Sequence, residues 1–289
     1  MVRMRLENNG DTLEISNWMP TGVLRRIGAS GFGMAPTVNR FREGAADGTR
    51  FRGQRKGGRV IKLPVAFQGE SEIEIQDLMR KLVRILNPRV SLATLFVTYD
   101  DGTELFTDVV FAGGGDHIFG EGTNSLTFAE WDLTLQSTSA YFTSAESVDV
   151  KIDAGGNSGR GLIKTGSMGL SRLRVSSASV IGSVEVDNPG DADAFPIWLV
   201  EGPGHHFHAD VYGAGFTYDS AVEVGNPITV NTRDKSVTDV NGSVYTGLAD
   251  APLLFAIPPG RTTINLSMQD TNGQTRVRLN FQPRYEVVI

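Results

Sequence analysis

The sequence predicts a mainly β protein with an antiparallel β domain that carries one α-helix, followed by a second β domain. Three observations lead to this prediction. Short segments with alternating apolar and polar residues, separated by Gly, Pro, Asn and Asp, fill most of the 289 residues. A single segment has helical spacing, and one glycine-rich stretch divides the chain. Because 40% of the residues are hydrophobic, the chain can bury a sizeable core.

Two hairpins are the clearest strand signals. The stretch SLATLFVTYDDGTELFTDVVF predicts two strands about a turn at Asp101 and Gly102, and KSVTDVNGSVYTGL predicts two strands about Asn241 and Gly242. Asp-Gly and Asn-Gly are typical of type I′ turns, because glycine adopts the required positive φ at no steric cost.

One segment, SEIEIQDLMRKLVRILNP, predicts an amphipathic helix over residues 72–86. Ser71 and Glu74 have the spacing of a capping box before it, and Asn87-Pro88 ends it. The apolar residues at helical spacing are Ile75, Leu78, Met79, Leu82, Ile85 and Leu86. A helix of this length needs a sheet to cover its apolar face.

The stretch Asp153–Leu170 contains six glycines and has almost no periodicity. A structureless loop of this length inside one compact domain would be unusual, so the stretch predicts a domain boundary. We therefore expect an N-terminal domain over residues 1–150, a linker or loop over 151–171 and a C-terminal domain over 172–289.

Composition excludes several classes of site. The chain has no cysteine, so disulfides, thiolate metal sites and a cysteine nucleophile are excluded. The N-terminal sequence MVRMRLENNG has no apolar signal region, and no uncharged run approaches the length of a membrane span. We expect a protein made in a cytoplasm, without membrane insertion.

Three of the four histidines lie in the stretch GPGHHFHAD. In a strand, His206 and His208 would lie about 6.7 Å apart on one face, a spacing at which both could bind one zinc ion. Asp210 would lie about 13 Å from His206, too far to share that ion, and His117 belongs to the other predicted domain. We therefore predict a polar strand face without a metal, with His205 in a turn.

Other patterns give no cofactor or catalytic site. The stretch GASGFG at residues 28–33 does not have the dinucleotide spacing, and GNSGRGLIKT at residues 156–165 displaces the lysine of a phosphate loop by two residues. There is no G-x-S-x-G elbow for a serine nucleophile. Glycosidase carboxylates leave little local signature, so an enzyme stays an alternative.

The most unusual chemical feature is a basic segment between Arg25 and Lys62, with acidic residues only at Glu43 and Asp47. Its ten basic residues are Arg25, Arg26, Arg40, Arg42, Arg50, Arg52, Arg55, Lys56, Arg59 and Lys62. A solvated loop is one interpretation; the other is a partner interface, since arginine pairs well with the carboxylates of another surface. We predict that a contact with another subunit or a partner protein involves Arg50, Arg52, Arg55 and Arg59.

Specific nucleic-acid binding is a weaker interpretation of the same segment. Only Phe41 and Phe51 could stack on bases there, and the chain as a whole is acidic, with a net charge of -6. We expect no specific nucleic-acid binding.

The order of features resembles the distal tail proteins of long-tailed, non-contractile bacteriophages. The basic stretch DGTRFRGQRKGGRVIKLPV precedes a strand, and the helix and the hairpin about residues 101–102 follow. Further along the chain come VDNPGDADAFPIWLVEGPG, ITVNTRDKSVTDVNGSVY and LLFAIPPGRTTINL. The most specific parts are NPGDADAFPI and the pattern I-P-P-G-x-x-x-I, and the main departure from the family pattern is Asn231, where an acidic residue is expected.

This resemblance implies an N-terminal domain that assembles into a homohexameric ring and a galectin-like C-terminal β-sandwich. It implies a virion protein at the tail tip, whose ring joins the tail tube protein to tail tip or tail-associated proteins. We expect no cofactor and no enzymatic activity.

Two other functions compete with this structural role. A carbohydrate-binding module or adhesin, with a host-surface glycan as partner, would use exposed aromatic residues such as Trp198 or Tyr212, although Trp198 in FPIWLV is more simply a core residue. A metal-dependent or glycoside-cleaving enzyme would depend on His206 and His208.

Overall fold

The computed structural model describes residues 2–18, 20–44, 47–89, 91–116, 127–153 and 182–288. Along the chain the elements are β1 Arg3–Asn8, β2 Asp11–Ser16, β3 Gly22–Arg25, β4 Thr37–Glu43, β5 Thr49–Lys56, β6 Val60–Gln68, α1 Glu72–Ile85, β7 Ala93–Thr98, β8 Glu104–Gly114, β9 Phe128–Ser137 and β10 Phe142–Ser144. They continue with β11 Val148–Asp153, β12 Gly182–Asn188, β13 Ile197–Glu201, β14 His205–Val211, β15 Ala214–Tyr218, β16 Ile228–Asn231, β17 Ser236–Asp239, β18 Gly242–Ser243, a 3-10 turn Tyr245–Gly247, β19 Gly260–Gln269, β20 Arg276–Phe281 and β21 Arg284–Tyr285.

The chain divides into two compact units, which are Met1–Glu146 with Arg284–Ile289 and Ser147–Pro283. The mainly β fold class predicted from the sequence is confirmed. From residue 154 onward, the predicted linker lies outside the described residues. Residues 151–153 belong to β11, which pairs with β20 in the second unit. The segment from Arg284 onward returns to the first unit, which the sequence did not indicate.

The first unit is built on one sheet that closes on itself. Its strand order is β21-β10-β8-β7-β1-β2-β3-β6-β9, and a further pairing of β8 with β9 completes the closure. Strands β2 and β3 are parallel, whereas the other pairs are antiparallel. The alternating apolar residues of these strands form the core, which includes Leu6, Leu63, Phe67, Leu95 and Leu135.

The helix α1 covers part of this core. It begins after Ser71, whose side chain accepts a hydrogen bond from the Glu74 backbone N–H at 3.3 Å, and Leu86 forms its C-cap. Ile75, Leu82 and Ile85 are buried. The helix predicted from the sequence is confirmed, with its end one residue earlier. In the part of the chain that the structure describes, no helix is long and apolar enough to cross a membrane.

The second unit contains two antiparallel sheets around one core. The orders are β11-β20-β13-β16-β17-β18 and β12-β19-β14-β15. Trp198 from the first sheet is fully buried among Phe207, Phe216 and Phe255, with ring centroids 6.1 to 6.3 Å apart. Trp198 is therefore a core residue, as its sequence context indicates. The likeness of this unit to galectins stays a prediction.

Both predicted hairpins are present, but their turns differ from the prediction. Strand β7 pairs with β8, and β17 pairs with β18. Gly102 and Gly242 have positive φ angles of 90° and 132°, whereas Asp101 and Asn241 do not have positive φ. A type I′ turn needs positive φ at both central residues, so the type I′ prediction was wrong.

Candidate functional site

The basic segment contains a β-hairpin that carries most of its charge. Strands β4 and β5 form a two-stranded sheet, and within the described residues they pair only with each other. Phe41 lies opposite Phe51 and Arg42 opposite Arg50, and the register shifts by one residue between Arg40 and Phe41. Almost every side chain of the hairpin is exposed. The hairpin is therefore a projecting ribbon rather than part of the closed sheet.

One face of this ribbon is basic. Residues opposite each other in an antiparallel pair share a face, as do residues two apart along a strand. The register therefore places Arg40, Arg42, Arg50 and Arg55 on one face. Arg52 is the extra residue at the register shift, and it lines the same surface groove as Arg42 and Arg50. We call this set of five arginines the arginine face.

The opposite face is partly aromatic. Phe41 and Phe51 form an edge-to-face pair with ring centroids 5.8 Å apart, and their exposed fractions are 58% and 59%. Such pairing is worth about 0.5–1.5 kcal/mol beyond the burial of area. It helps to hold the hairpin together, but it leaves two large rings in contact with water.

Three of the predicted interface arginines are available to a partner. Arg50, Arg52 and Arg55 are exposed, and in the described part of the chain none of them forms an ion pair. The structure thus places these three side chains on one protruding element, as a contact with an acidic surface requires.

Arg59 differs from the other three. Its side chain is 1% exposed, and it donates to the backbone carbonyls of Ala140 at 2.7 Å, of Gly31 at 3.3 Å, of Gly33 and of Glu286. Burial lowers the pKa of Arg59, while Glu286 and Tyr141 oppose that shift. Its donors are used inside the first unit, so Arg59 does not belong with the exposed arginines. The sequence prediction for it is corrected here.

The histidine stretch lies on β14, with Phe207, Ala209 and Val211 buried, as predicted. His205 is the first strand residue rather than a turn residue. The Nδ1 of His206 lies 2.7 Å from the Oδ1 of Asp219. Among the residues that the structure describes, no group of three or more His, Asp or Glu side chains is placed to hold a metal. His117 lies outside the described residues.

The neighbouring His208 belongs to a hydrogen-bonded polar face. Its Nδ1 lies 2.8 Å from Thr217 Oγ1, and its Nε2 lies 3.4 Å from Asp210 Oδ2. Burial favours the neutral form of Asp210, but hydrogen bonds from Gly213, Asn265 and His208 outweigh it and hold the pKa of Asp210 below its ordinary value. These contacts satisfy the polar groups within the sheet itself.

The remaining sequence candidates do not form a ligand site. Gly31 in the stretch GASGFG packs on β6, where an added Cβ would lie 2.3 Å from the Val60 carbonyl oxygen. The second glycine-rich stretch, residues 156–165, lies outside the described residues. Of the two aromatic candidates for sugar stacking, Trp198 is buried and Tyr212 is 85% exposed in the turn after β14.

The molecule therefore has a closed β unit with a projecting basic hairpin and a second unit of two sheets. Residues 21–121 match the family described as phage tail protein RIFT-related domain. No curated protein sequence matches the chain.

Solved structures extend the likeness to the whole chain. The Dit protein of phage SPP1, described as a paradigm of the hub of the adsorption apparatus, is similar with a TM-score of 0.66 at 11% identity, over 98% of this chain and 99% of that chain. A chain of the phage P2 baseplate in its activated conformation with Ca is similar with a TM-score of 0.54 at 13% identity, over all of both chains. The same baseplate with Sr gives a TM-score of 0.53 at 13% identity, again over all of both chains.

These comparisons confirm the resemblance to distal tail proteins. The chain has the fold of the Dit hub protein across both units, and the family match lies in the first unit. The proteins to which it is similar are phage tail and baseplate proteins.

Proposed function

We propose that the chain is a structural hub protein of a phage tail, which assembles with copies of itself into a ring at the distal end of the tail tube. The observation that carries this proposal is the similarity in fold to a hub protein over nearly the whole of both chains. The sequence resemblance supports six subunits in the ring, and it supports the tail tube protein and tail tip proteins as neighbours. The role is non-enzymatic and needs no cofactor, and the chain is made in the host cytoplasm before it enters the virion.

The arginine face is the surface that we assign to assembly. Residues 37–56 contain six basic and two acidic residues, a net charge of +4, while the rest of the chain contains 21 basic and 31 acidic residues, a net charge of -10. Another copy of the chain therefore offers acidic surface to the hairpin. A contact between unlike surfaces is heterologous, and heterologous contacts close into rings by rotation. Arg50, Arg52 and Arg55 contact the adjacent subunit or the tube protein in this proposal.

A tagged virion tests the proposed location. Asn241 and Gly242 form an exposed turn in the second unit, where a short epitope tag can be inserted. Gold-labelled antibody should mark the tail end distal to the capsid in electron micrographs. Label on the capsid or along the whole tail would contradict the proposal. The untagged virion is the control for non-specific labelling.

A host-surface glycan is a further possible partner, carried over from the sequence alternatives. Tyr212 is an exposed aromatic residue of the second unit on which a sugar could stack. Binding of the purified chain to a glycan array, lost in Tyr212→Ala, would support that role in addition to the hub role.

A further inference from the structure

The base of the basic hairpin is held by one carboxylate. Glu286 Oε1 accepts a hydrogen bond from the Ala35 backbone N–H at 3.2 Å, two residues before β4 begins. Glu286 Oε2 pairs with the ammonium of Lys56, the last residue of β5. The Glu286 side chain is 13% exposed. A single, mostly buried side chain thus contacts the last residue of β5 and the segment that leads into β4.

The backbone around Glu286 is fixed at the same place. Arg59 donates to the Glu286 carbonyl oxygen and to the carbonyls of Gly31 and Gly33, which precede the hairpin. The Val288 N–H donates to the Phe32 carbonyl oxygen at 2.8 Å. The segment 284–288 is therefore anchored on both sides of Glu286, because Arg284 and Tyr285 form β21 against β10.

Lys56 has a defined environment that favours this contact. Its ammonium lies 5.5 Å from the centroid of the Tyr141 ring, and the guanidinium of Arg284 lies 4.5 Å from the centroid of the same ring. Charged groups from β5 and β21 thus share one aromatic ring. Without Glu286, Lys56 would lose this carboxylate partner beside a second cation, Arg284.

The orientation of the hairpin depends on these contacts. An isolated two-stranded hairpin is marginally stable in water, and β4 and β5 join no other sheet in the described residues. The eight residues of β5 span about 26 Å at about 3.3 Å per residue. A tilt of about 10° at the base would move the tip by about 4.5 Å over that length. Such a displacement would break the side-chain contacts of the arginine face with a partner.

We propose that Glu286 is a positioning residue, which fixes the direction of the basic hairpin by bridging Ala35 and Lys56 at its base. The identity of the surface that the hairpin contacts rests on the proposed function. The way in which Glu286 holds the hairpin does not. The segment that follows the second unit in the chain therefore orients the assembly element of the first unit.

A distance measurement within the first unit tests the proposal. Because the chain has no cysteine, the substitutions Thr49→Cys and Gln76→Cys provide the two sites for spin labels. The first lies near the exposed tip of the hairpin and the second on α1. Pulsed electron paramagnetic resonance on the purified chain should give a narrow distance distribution. Glu286→Ala should broaden it at least twofold. Glu286→Gln should give an intermediate width, because its amide oxygen still accepts from the Ala35 N–H.

Glu104 provides a matched control. It is a partly buried carboxylate of the first unit that pairs with Arg5 at 3.1 Å and accepts from Thr98 Oγ1 at 3.0 Å, and neither partner belongs to the hairpin. Glu104→Ala should leave the distribution narrow. If Glu104→Ala broadens it as much as Glu286→Ala, or if both Glu286 variants stay narrow, the proposal is overturned. If Glu286→Ala does not fold, the widths of the distance distributions of Glu286→Gln and Glu104→Gln are compared instead. A distribution broadened only in Glu286→Gln supports the proposal, and equal widths overturn it.

Ring formation is then measured on the same variants, so that the two proposals can fail separately. A broadened hairpin in Glu286→Ala, together with a wild-type chain that never assembles, would support the positioning role and contradict the hub proposal. If the wild-type chain assembles and the distance distribution of Glu286→Ala stays narrow, the hub proposal is supported and the positioning role of Glu286 is contradicted.

Discussion

Reversing two charges on the arginine face should weaken subunit contacts while leaving the fold intact. The double substitution Arg52→Glu and Arg55→Glu changes the net charge of residues 37–56 from +4 to 0. An exposed ion pair is worth about 0.2–1 kcal/mol, and a like-charge pair costs a similar amount. The two reversals should therefore cost about 1–4 kcal/mol for each contact. Since 1.4 kcal/mol corresponds to about tenfold in affinity, each contact should weaken about 5- to 700-fold.

Sedimentation velocity over a range of protein and salt concentrations measures this effect. Wild-type assembly should weaken with salt, because the Debye length falls from about 10 Å at 0.1 M to about 3 Å at 1 M. The circular-dichroism spectrum should hardly change, since both arginines are exposed. The control is Arg3→Glu with Arg233→Glu, which makes the same change in net charge at two exposed residues outside the hairpin. Normal assembly of the Arg52, Arg55 variant would refute the interface assignment and favour a solvated ribbon.

Three further predictions concern buried and titratable groups. Arg59→Met should destabilise the first unit by about 2–4 kcal/mol in urea unfolding, because four backbone carbonyls lose their donor and a buried side chain is replaced. A change below about 0.5 kcal/mol would contradict the internal role of Arg59. Hydrogen bonding from Lys56 lowers the pKa of Glu286, so the stabilisation that the Glu286 carboxylate gives the folded state is complete above the ordinary glutamate pKa and is lost as pH falls through the lowered value. The hairpin distance distribution of the wild-type chain should therefore broaden only in acid. A width that does not change with pH would contradict this. The purified chain should hold no stoichiometric zinc by elemental analysis, and one equivalent lost in the His206→Ala, His208→Ala double variant would overturn the polar-face interpretation.

Local patterns in the sequence predicted the elements that depend on local chemistry. The helix follows from the capping box at Ser71 and Glu74 and from its apolar spacing, and the structure places it at Glu72–Ile85. The strand with Phe207 and Ala209 inward follows from two-residue alternation. These features are set by residues within a few positions of each other, so a single sequence reveals them.

The features that the sequence did not reveal depend on distant contacts. Arg59 lies in the same basic stretch of sequence as its exposed neighbours, but one of its hydrogen-bond acceptors, the Glu286 carbonyl oxygen, lies 227 residues further along the chain. The return of residues 284–288 to the first unit has no local pattern either, since β21 is two residues long. Arg52 is the extra residue of a β-bulge in the hairpin, and the alternation of residues along a strand does not predict a bulge. Charge density located the interface candidate, but only the fold separates its exposed arginines from the buried one.

Native mass spectrometry and negative-stain class averages of the purified protein at low salt show directly whether copies of this chain form a closed ring. We expect a ring of six 31.2 kDa subunits with a central hole, and a loss of that species in the Arg52→Glu, Arg55→Glu variant. A purely monomeric wild-type chain at tens of micromolar, or a closed two-fold dimer without a central hole, would contradict it.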